Sequence, residues 1–171
     1  MSKNSSSENL DGIVLDGANL NLITANSLRG NSLTGVFVFN GDDNVVTRNL
    51  VVGNTAGSEG PEGGIRLFSD SEDPTSTADR TLISRNTAAE NTLDGILVDA
   101  GNTGTVLEDN RSNANGDDGI DVESPATSLT GNTADRNHDL GIEAVPGTAD
   151  GGGNKASGNG NPLQCTNVFC R

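Results

Sequence analysis

Six frames along this chain set two asparagines five positions apart beside a glycine-led run. They are NSLRGN at 26–31, NLVVGN at 49–54, NTAAEN at 86–91, NRSNAN at 110–115, NTADRN at 132–137 and NKASGN at 154–159. Each frame is linked to a short run in which a glycine precedes apolar–any–apolar. The runs are DGIVL from Asp11, TGVFV from Thr34, GGIRL from Gly63, DGILV from Asp94, DGIDV from Asp118 and LGIEA from Leu140. The first Asn follows that glycine by 13 to 15 residues, except in the third unit, where the gap is 22. The next glycine comes 4 residues after the second Asn, except after Asn54, where the gap is 10. Insertions at roughly residues 55–62 and 70–78 explain both irregularities and leave a period of 22 to 24. A period of that length marks a stack of small repeated units.

The units alternate as strands do. Ile13 and Leu15 oppose Val14 and Asp16; Ile120 and Val122 oppose Asp121 and Glu123. That is a period of two with one face buried. A second strand per unit is visible at 21–23, 44–47, 81–84, 105–108 and 127–130, and a very short third lies between the paired asparagines. Three strands and three turns in one repeat predict an all-β, parallel β-helix of about six coils. Stacked coils bring equivalent residues to about 4.8 Å. An Asn at a turn can take the left-handed conformation, and its amide can bond the same amide one coil up and one coil down. Asn26, Asn49, Asn86, Asn110, Asn132 and Asn154 form one expected ladder, and Asn31, Asn54, Asn91, Asn115, Asn137 and Asn159 the other. A leucine-rich repeat has a similar period, but it wants one Asn per unit and Leu at several fixed places.

Composition alone leaves disorder open. Leu, Ile, Val and Phe total 38 of 171 residues, about 22%, at a net charge of −14. That lies just above the range of chains too polar to fold. The acidic balance argues against nucleic acid, whose phosphates need a basic surface, and allows cations. No apolar run reaches the length of a membrane span. The opening MSKNSSSENL lacks the apolar stretch of a signal peptide and reads as the start of a mature protein or of a fragment.

An open solenoid exposes strand edges at both ends and needs caps. The tail NPLQCTNVFCR holds both cysteines, and Cys165 with Cys170 is expected to form a disulfide clip in an extracytoplasmic protein. Val168 and Phe169 are expected to cover the last coil. The expected division is a flexible segment at 1–9, the β-helix at 10–160 and the cap at 161–171.

Outward residues of the glycine-led strands form two columns. One reads Val14, Phe37, Arg66, Leu97, Asp121, Glu143, and the other Asp16, Phe39, Phe68, Asp99, Glu123, Val145. Phe37, Phe39 and Phe68 make a candidate sugar-stacking platform; alternatively the inserted loops fold over them. Asp118, Asp121, Glu123, His138 and Glu143 are catalytic candidates, because crowded carboxylates raise one another's pKa and neighbouring coils hold them at glycosidase-like separations. Asp99, Asp121, Glu123 and Glu143 are candidate ligands for calcium, a hard cation that takes oxygen donors. The alternative is a solvated acidic face.

The DGI.V and N....N units, covering residues 10 to 160, resemble the right-handed β-helix repeats of the pectin-lyase-like superfamily. That resemblance implies a secreted or cell-surface protein directed at polysaccharide. It leaves three roles open: a binding or structural module, a lyase, hydrolase or epimerase, and an adhesin or tailspike-like stalk. Polygalacturonases of the superfamily carry G-H-G and R-I-K motifs, and neither is present. Its lyases use an Arg or Lys beside calcium-binding acids, and Arg136 is nearest the acids in sequence. Its alginate epimerases use a Tyr, and the chain has none.

Overall fold

A computed structural model describes residues 1–55, 63–73 and 75–171. The strand β1 (Ser5–Ser7) precedes six coils of three strands each. The first coil holds β2 (Ile13–Asp16), β3 (Leu22–Thr24) and β4 (Ser27–Arg29), and the second β5 (Val36–Phe39), β6 (Val45–Thr47) and β7 (Leu50–Val52). The third holds β8 (Ile65–Leu67), β9 (Leu82–Ser84) and β10 (Thr87–Ala89), and the fourth β11 (Ile96–Val98), β12 (Thr105–Glu108) and β13 (Arg111–Asn113). The fifth holds β14 (Ile120–Val122), β15 (Thr127–Thr130) and β16 (Thr133–Asp135), and the sixth β17 (Ile142–Ala144), β18 (Ala149–Gly152) and β19 (Lys155–Ser157). Equivalent strands stack in parallel into three sheets. The Gly–Ile sheet runs β2 to β17, a second sheet runs β3 to β18, and a ladder sheet runs β1 to β19. The described residues contain no helix.

A narrow core explains why so few apolar residues suffice. Each of the first five coils turns two side chains inward from the Gly–Ile strand and one from each of the others. In the second coil these are Val36, Val38, Val46 and Val51, all fully buried. Each such side chain contributes about 1.5–3 kcal/mol of apolar burial. In the ladder sheet the inward column narrows to Ala88, Ser112, Ala134 and Ala156.

The asparagine ladders run unbroken along two corners. Up to the last rung, each ladder Nδ2 donates to the next coil's Oδ1 at 2.9–3.2 Å. The same Oδ1 also accepts that residue's backbone N–H, for example Asn110 N to Asn132 Oδ1 at 3.0 Å. The conformational expectation needs correction. The ladder asparagines are not left-handed; the residue before each one is. Ala25, Arg48, Arg85 and Asp109 take φ of 53 to 56° on one corner, and Glu90, Ala114 and Arg136 take 56 to 60° on the other. Each is a single exposed corner residue, costing about 1–2 kcal/mol in that conformation. The turn it makes points the following amide inward, where burial makes the ladder bonds count. Glycine fills the remaining corner positions, such as Gly30 and Gly53.

The glycine that opens each Gly–Ile strand has a steric reason. A Cβ on Gly119 would lie 2.6 Å from both Asn137 Nδ2 and the Gly141 carbonyl. The ladder amide and the next coil occupy the space a side chain would need.

The ends differ from expectation in two ways. The solenoid begins before residue 10. β1 pairs with β4, Asn4 Nδ2 donates to Asn26 Oδ1 at 3.0 Å, and Asn9 N–H donates to Asn31 Oδ1 at 3.2 Å. Lys3 and Glu8 take the matching left-handed conformations. At the other end Gln164 finishes the second ladder by accepting from Asn159 Nδ2 at 3.0 Å, and Cys165 bridges to Ile142. Cys165 and Cys170 are disulfide-bonded and, with Val168, pack on the core. Phe169 does not cover the coil; it is 68% exposed, because it alternates with the inward Val168.

The insertion expected near 55–62 lies almost wholly outside the described residues. The second leaves the stack after Phe68, turns through an Asp70–Asp73 bridge and returns with Ala78 buried.

Candidate functional site

The outward face of the Gly–Ile sheet carries both anticipated columns. Register places Val14, Phe37, Arg66, Leu97, Asp121 and Glu143 in one line. Asp16 and Phe39 are in register in the second, which Phe68, Asp99, Glu123 and Val145 extend through backbone bonds between successive coils. Asp121 and Glu143 are therefore neighbours one coil apart, about 4.8 Å by strand spacing.

Phe37, Phe39 and Phe68 form one half-buried cluster. Ring centroids are 6.2 Å apart for Phe37–Phe39, 5.7 Å for Phe37–Phe68 and 5.4 Å for Phe39–Phe68. These separations suit attractive aromatic packing, edge-to-face in the last pair. The Arg66 guanidinium lies 4.8 Å from the Phe68 centroid, within cation–π range.

Arg66 is the arginine at this face. Arg136, nearest the acids in sequence, lies between the ladder asparagines and sits exposed on a ladder corner, away from this face. Arg66 is far from the acids in sequence, but the stack places it one coil from Asp99. The two form a bidentate pair, Nε to Oδ1 at 3.1 Å and Nη2 to Oδ2 at 2.8 Å, with only 11% and 10% of each side chain exposed. Such a fork is the strong form of the ion pair. It engages both oxygens of Asp99, so Asp99 drops out of the expected calcium set. An open cleft of about 300 Å³ lies beside the pair, lined by Arg66, Phe68, Ser69, Asp70, Asp99 and Glu123. Ser69 closes one wall by donating its hydroxyl to the Ala100 carbonyl. Loop residues 69–71 had no signal in the sequence, because they belong to an insertion outside the repeat.

The acids at the other end of the face are not equivalent. Asp94 and Asp118 open their coils, and each is tied to the next one. Asp94 Oδ1 accepts the Asp118 N–H at 3.0 Å, and Asp118 Oδ1 accepts the Leu140 N–H at 2.6 Å. Asp11 does the same for Thr34 at 3.1 Å. This coil-linking role explains the recurring Asp–Gly and gives Asp118 a structural task. Burial pushes Asp94 up to about 6, with Asp117 and Glu143 adding repulsion. Burial also raises Asp118, and a hydrogen bond with Glu143 favours keeping a proton on it. Asp121, half-buried, is pushed up to about 8, first by burial and then by the charges of Asp94, Glu123, Glu143 and Asp117. Glu123 and Glu143 are exposed. His138 is also exposed, and among the described residues no hydrogen bond or ion pair joins its ring to these acids. The acids that converge most closely are Asp117, Asp118 and Asp139, each with an oxygen within 4.8 Å of the others.

The chain belongs to the right-handed β-helix family, whose pattern matches residues 1–160. No curated protein matches it in sequence. Among solved structures it is similar to an alginate lyase from Paenibacillus sp., with 17% identity and a TM-score of 0.67 over 99% of this chain and 72% of that one. It is also similar to the periplasmic alginate epimerase AlgG, with 17% identity and a TM-score of 0.63 over 96% of this chain and 43% of that one. The Dettilon tailspike protein gives 22% identity and a TM-score of 0.57, over 81% of this chain and 30% of the tailspike. At these identities the likeness concerns the fold.

Proposed function

We propose that this β-helix binds polysaccharide along the outward face of the Gly–Ile sheet, outside the cytoplasm or at the cell surface. The observation that carries the reading is the aromatic cluster. Phe37, Phe39 and Phe68 present ring surface beside a cleft on a chain that has no Trp or Tyr and only one other Phe. Apolar C–H faces of sugar rings pack on such surfaces, and neighbouring polar groups fix orientation. The Cys165–Cys170 disulfide suits an oxidising compartment. Lyase, epimerase and tailspike relatives of the fold support a glycan as partner by analogy.

Affinity electrophoresis and calorimetry against a panel of soluble polysaccharides test the reading. Binding that weakens at least about tenfold in Phe68→Ala, the loss of about 1.4 kcal/mol, supports it. A panel that shows no binding overturns it.

One observation favours a second, enzymatic reading. Asp121 keeps its proton up to about pH 8 between two exposed glutamates. A carboxylic acid in that state is a proton donor for a glycosidic oxygen. This reading requires glycan cleavage that disappears in Asp121→Asn.

A further inference from the structure

The face described above has a charge pattern that selects among glycans. Arg66 is the only basic residue on the outward positions of the Gly–Ile sheet. Its charge is already matched by the bidentate pair with Asp99, and both side chains are nine-tenths withdrawn from solvent. The other nine Lys and Arg residues fall outside the outward positions of this sheet; Arg48, Arg85 and Arg136, for example, occupy ladder corners. Past the aromatic cluster the face presents Asp121, Glu123 and Glu143 on successive coils.

A polyanionic glycan laid on the phenylalanines would therefore find no free cation and would run into a column of acids. A glycan bearing free amines would meet the reverse. Its ring faces would pack on Phe37 and Phe68, and its ammonium groups would reach the carboxylates two or three coils beyond Phe68. At about 4.8 Å per coil, the distance from Phe68 to Glu143 is roughly 14 Å, so one short oligomer covers both ends. An ammonium group beside Asp121 would also offset the burial and repulsion that hold a proton on it, releasing that proton on binding.

Resting on the glycan-binding reading, we infer that the ligand of this face is a cationic polysaccharide, an amino-sugar polymer with free amines, and not a polyuronate. The structural neighbours named for alginate point the other way, so the two can be separated in one experiment. Full-length protein is titrated calorimetrically with a chitosan oligosaccharide, its fully N-acetylated counterpart, an oligouronate and the linear polyamine spermidine. The expected order is chitosan oligosaccharide first, with the N-acetylated form at least about tenfold weaker and no binding of the oligouronate. Glu123→Gln with Glu143→Gln should weaken the chitosan oligosaccharide at least about tenfold. The charge-matched control, Glu90→Gln with Glu108→Gln on other faces, should leave it unchanged.

Equal affinity for the acetylated and amino forms, or preference for the oligouronate, overturns the inference and leaves the glycan-binding reading standing. Spermidine binding as tightly as the oligosaccharide, or equal weakening by the control pair, reduces the effect to bulk charge and also overturns it. No binding of any sugar overturns the glycan-binding reading as well.

Discussion

The asparagine corners and the outward Gly–Ile face stack the same way, one residue per coil, yet they solve opposite problems. In a corner the equivalent residue is the same in every coil, because an amide carries both donor and acceptor and can pair with its own copy above and below. On the face no two coils repeat their pair of residues. Where carboxylates do stack there, as Asp121 on Glu143, the pairing has no donor until one acid keeps its proton. Repetition thus marks positions that answer to the neighbouring coil, and its absence marks positions that answer to solvent or ligand.

The sharpest way to break this comparison is to remove one rung. Asn110 accepts from both nitrogens of Asn86 and donates to Asn132 Oδ1 and the Ile83 carbonyl. Asn110→Leu strands several buried groups at about 1–3 kcal/mol each, so a loss of about 3–5 kcal/mol is expected for the broken network. Thermal melting should show a fall of about 6–20 °C, at about 2–4 °C per kcal/mol for a chain of this size. A melting temperature equal to wild type would refute the structural role of the ladders. Gly119→Ala comes next. Its Cβ has no room against Asn137 and Gly141, and overpacking of that kind costs about 1–3 kcal/mol. Circular dichroism should report the loss without a change in strand content.

Much of this architecture could be read directly because it is repetitive. Six copies of one pattern set the coil length, the ladders and both outward columns before any coordinates. The left-handed residues lie one position before the asparagines, where Ala, Arg, Glu and Lys fill most corners and carry no turn signal of their own. Residues 4 to 9 carry ladder asparagines with no DGI run before them, so the repeat pattern alone does not extend to them. The Arg66–Asp99 pair was hidden for a different reason. The two residues are 33 positions apart across an irregular coil, and a column of outward residues does not say which charges close on each other.

The disulfide tests whether the cap shares the stability of the stack. Closing a loop as short as Cys165 to Cys170 is worth about 2 kcal/mol in the chain-entropy account. Cys165→Ser with Cys170→Ser should lower the melting temperature by about 4–8 °C. Hydrogen exchange should show the loss concentrated in β17 and β19 and absent from β5. Uniform loss along the stack would mean that the cap and coils unfold as one unit.

The pH response separates the acid column from the amide ladders. Asp121 has a folded pKa of about 8 against about 3.9 when unfolded. Between those values the folded state holds a proton that the unfolded state has released, so its contribution falls as pH rises from 4 to 8. Asp121→Asn removes that loss. Because the group is half-exposed, only about 1 kcal/mol is expected. The variant should match wild type at pH 4 and melt about 2–4 °C higher at pH 9. Equal melting temperatures at both values would show that Asp121 is freely solvated.

The smallest expected effect concerns calcium, and it asks whether the acids can gather on a cation what the amides achieve alone. Asp121, Glu123 and Glu143 remain as ligand candidates after Asp99 is claimed by Arg66, and Asp117, Asp118 and Asp139 offer oxygens close by. Hard carboxylate oxygens suit calcium, and an open solvated site belongs to the weak class, with Kd of roughly 10⁻⁴ to 10⁻³ M. The cation must displace the protons held on Asp118 and Asp121, so binding should strengthen as pH rises. At about ten times Kd the stabilisation is about 1.4 kcal/mol, a rise of about 3–5 °C in melting temperature. That rise is expected at pH 9, should shrink at pH 6, and should vanish in Asp121→Asn with Glu123→Gln. A calcium response that is absent at pH 9, or that survives the double substitution, would leave the acids as a repelling face with no cation site.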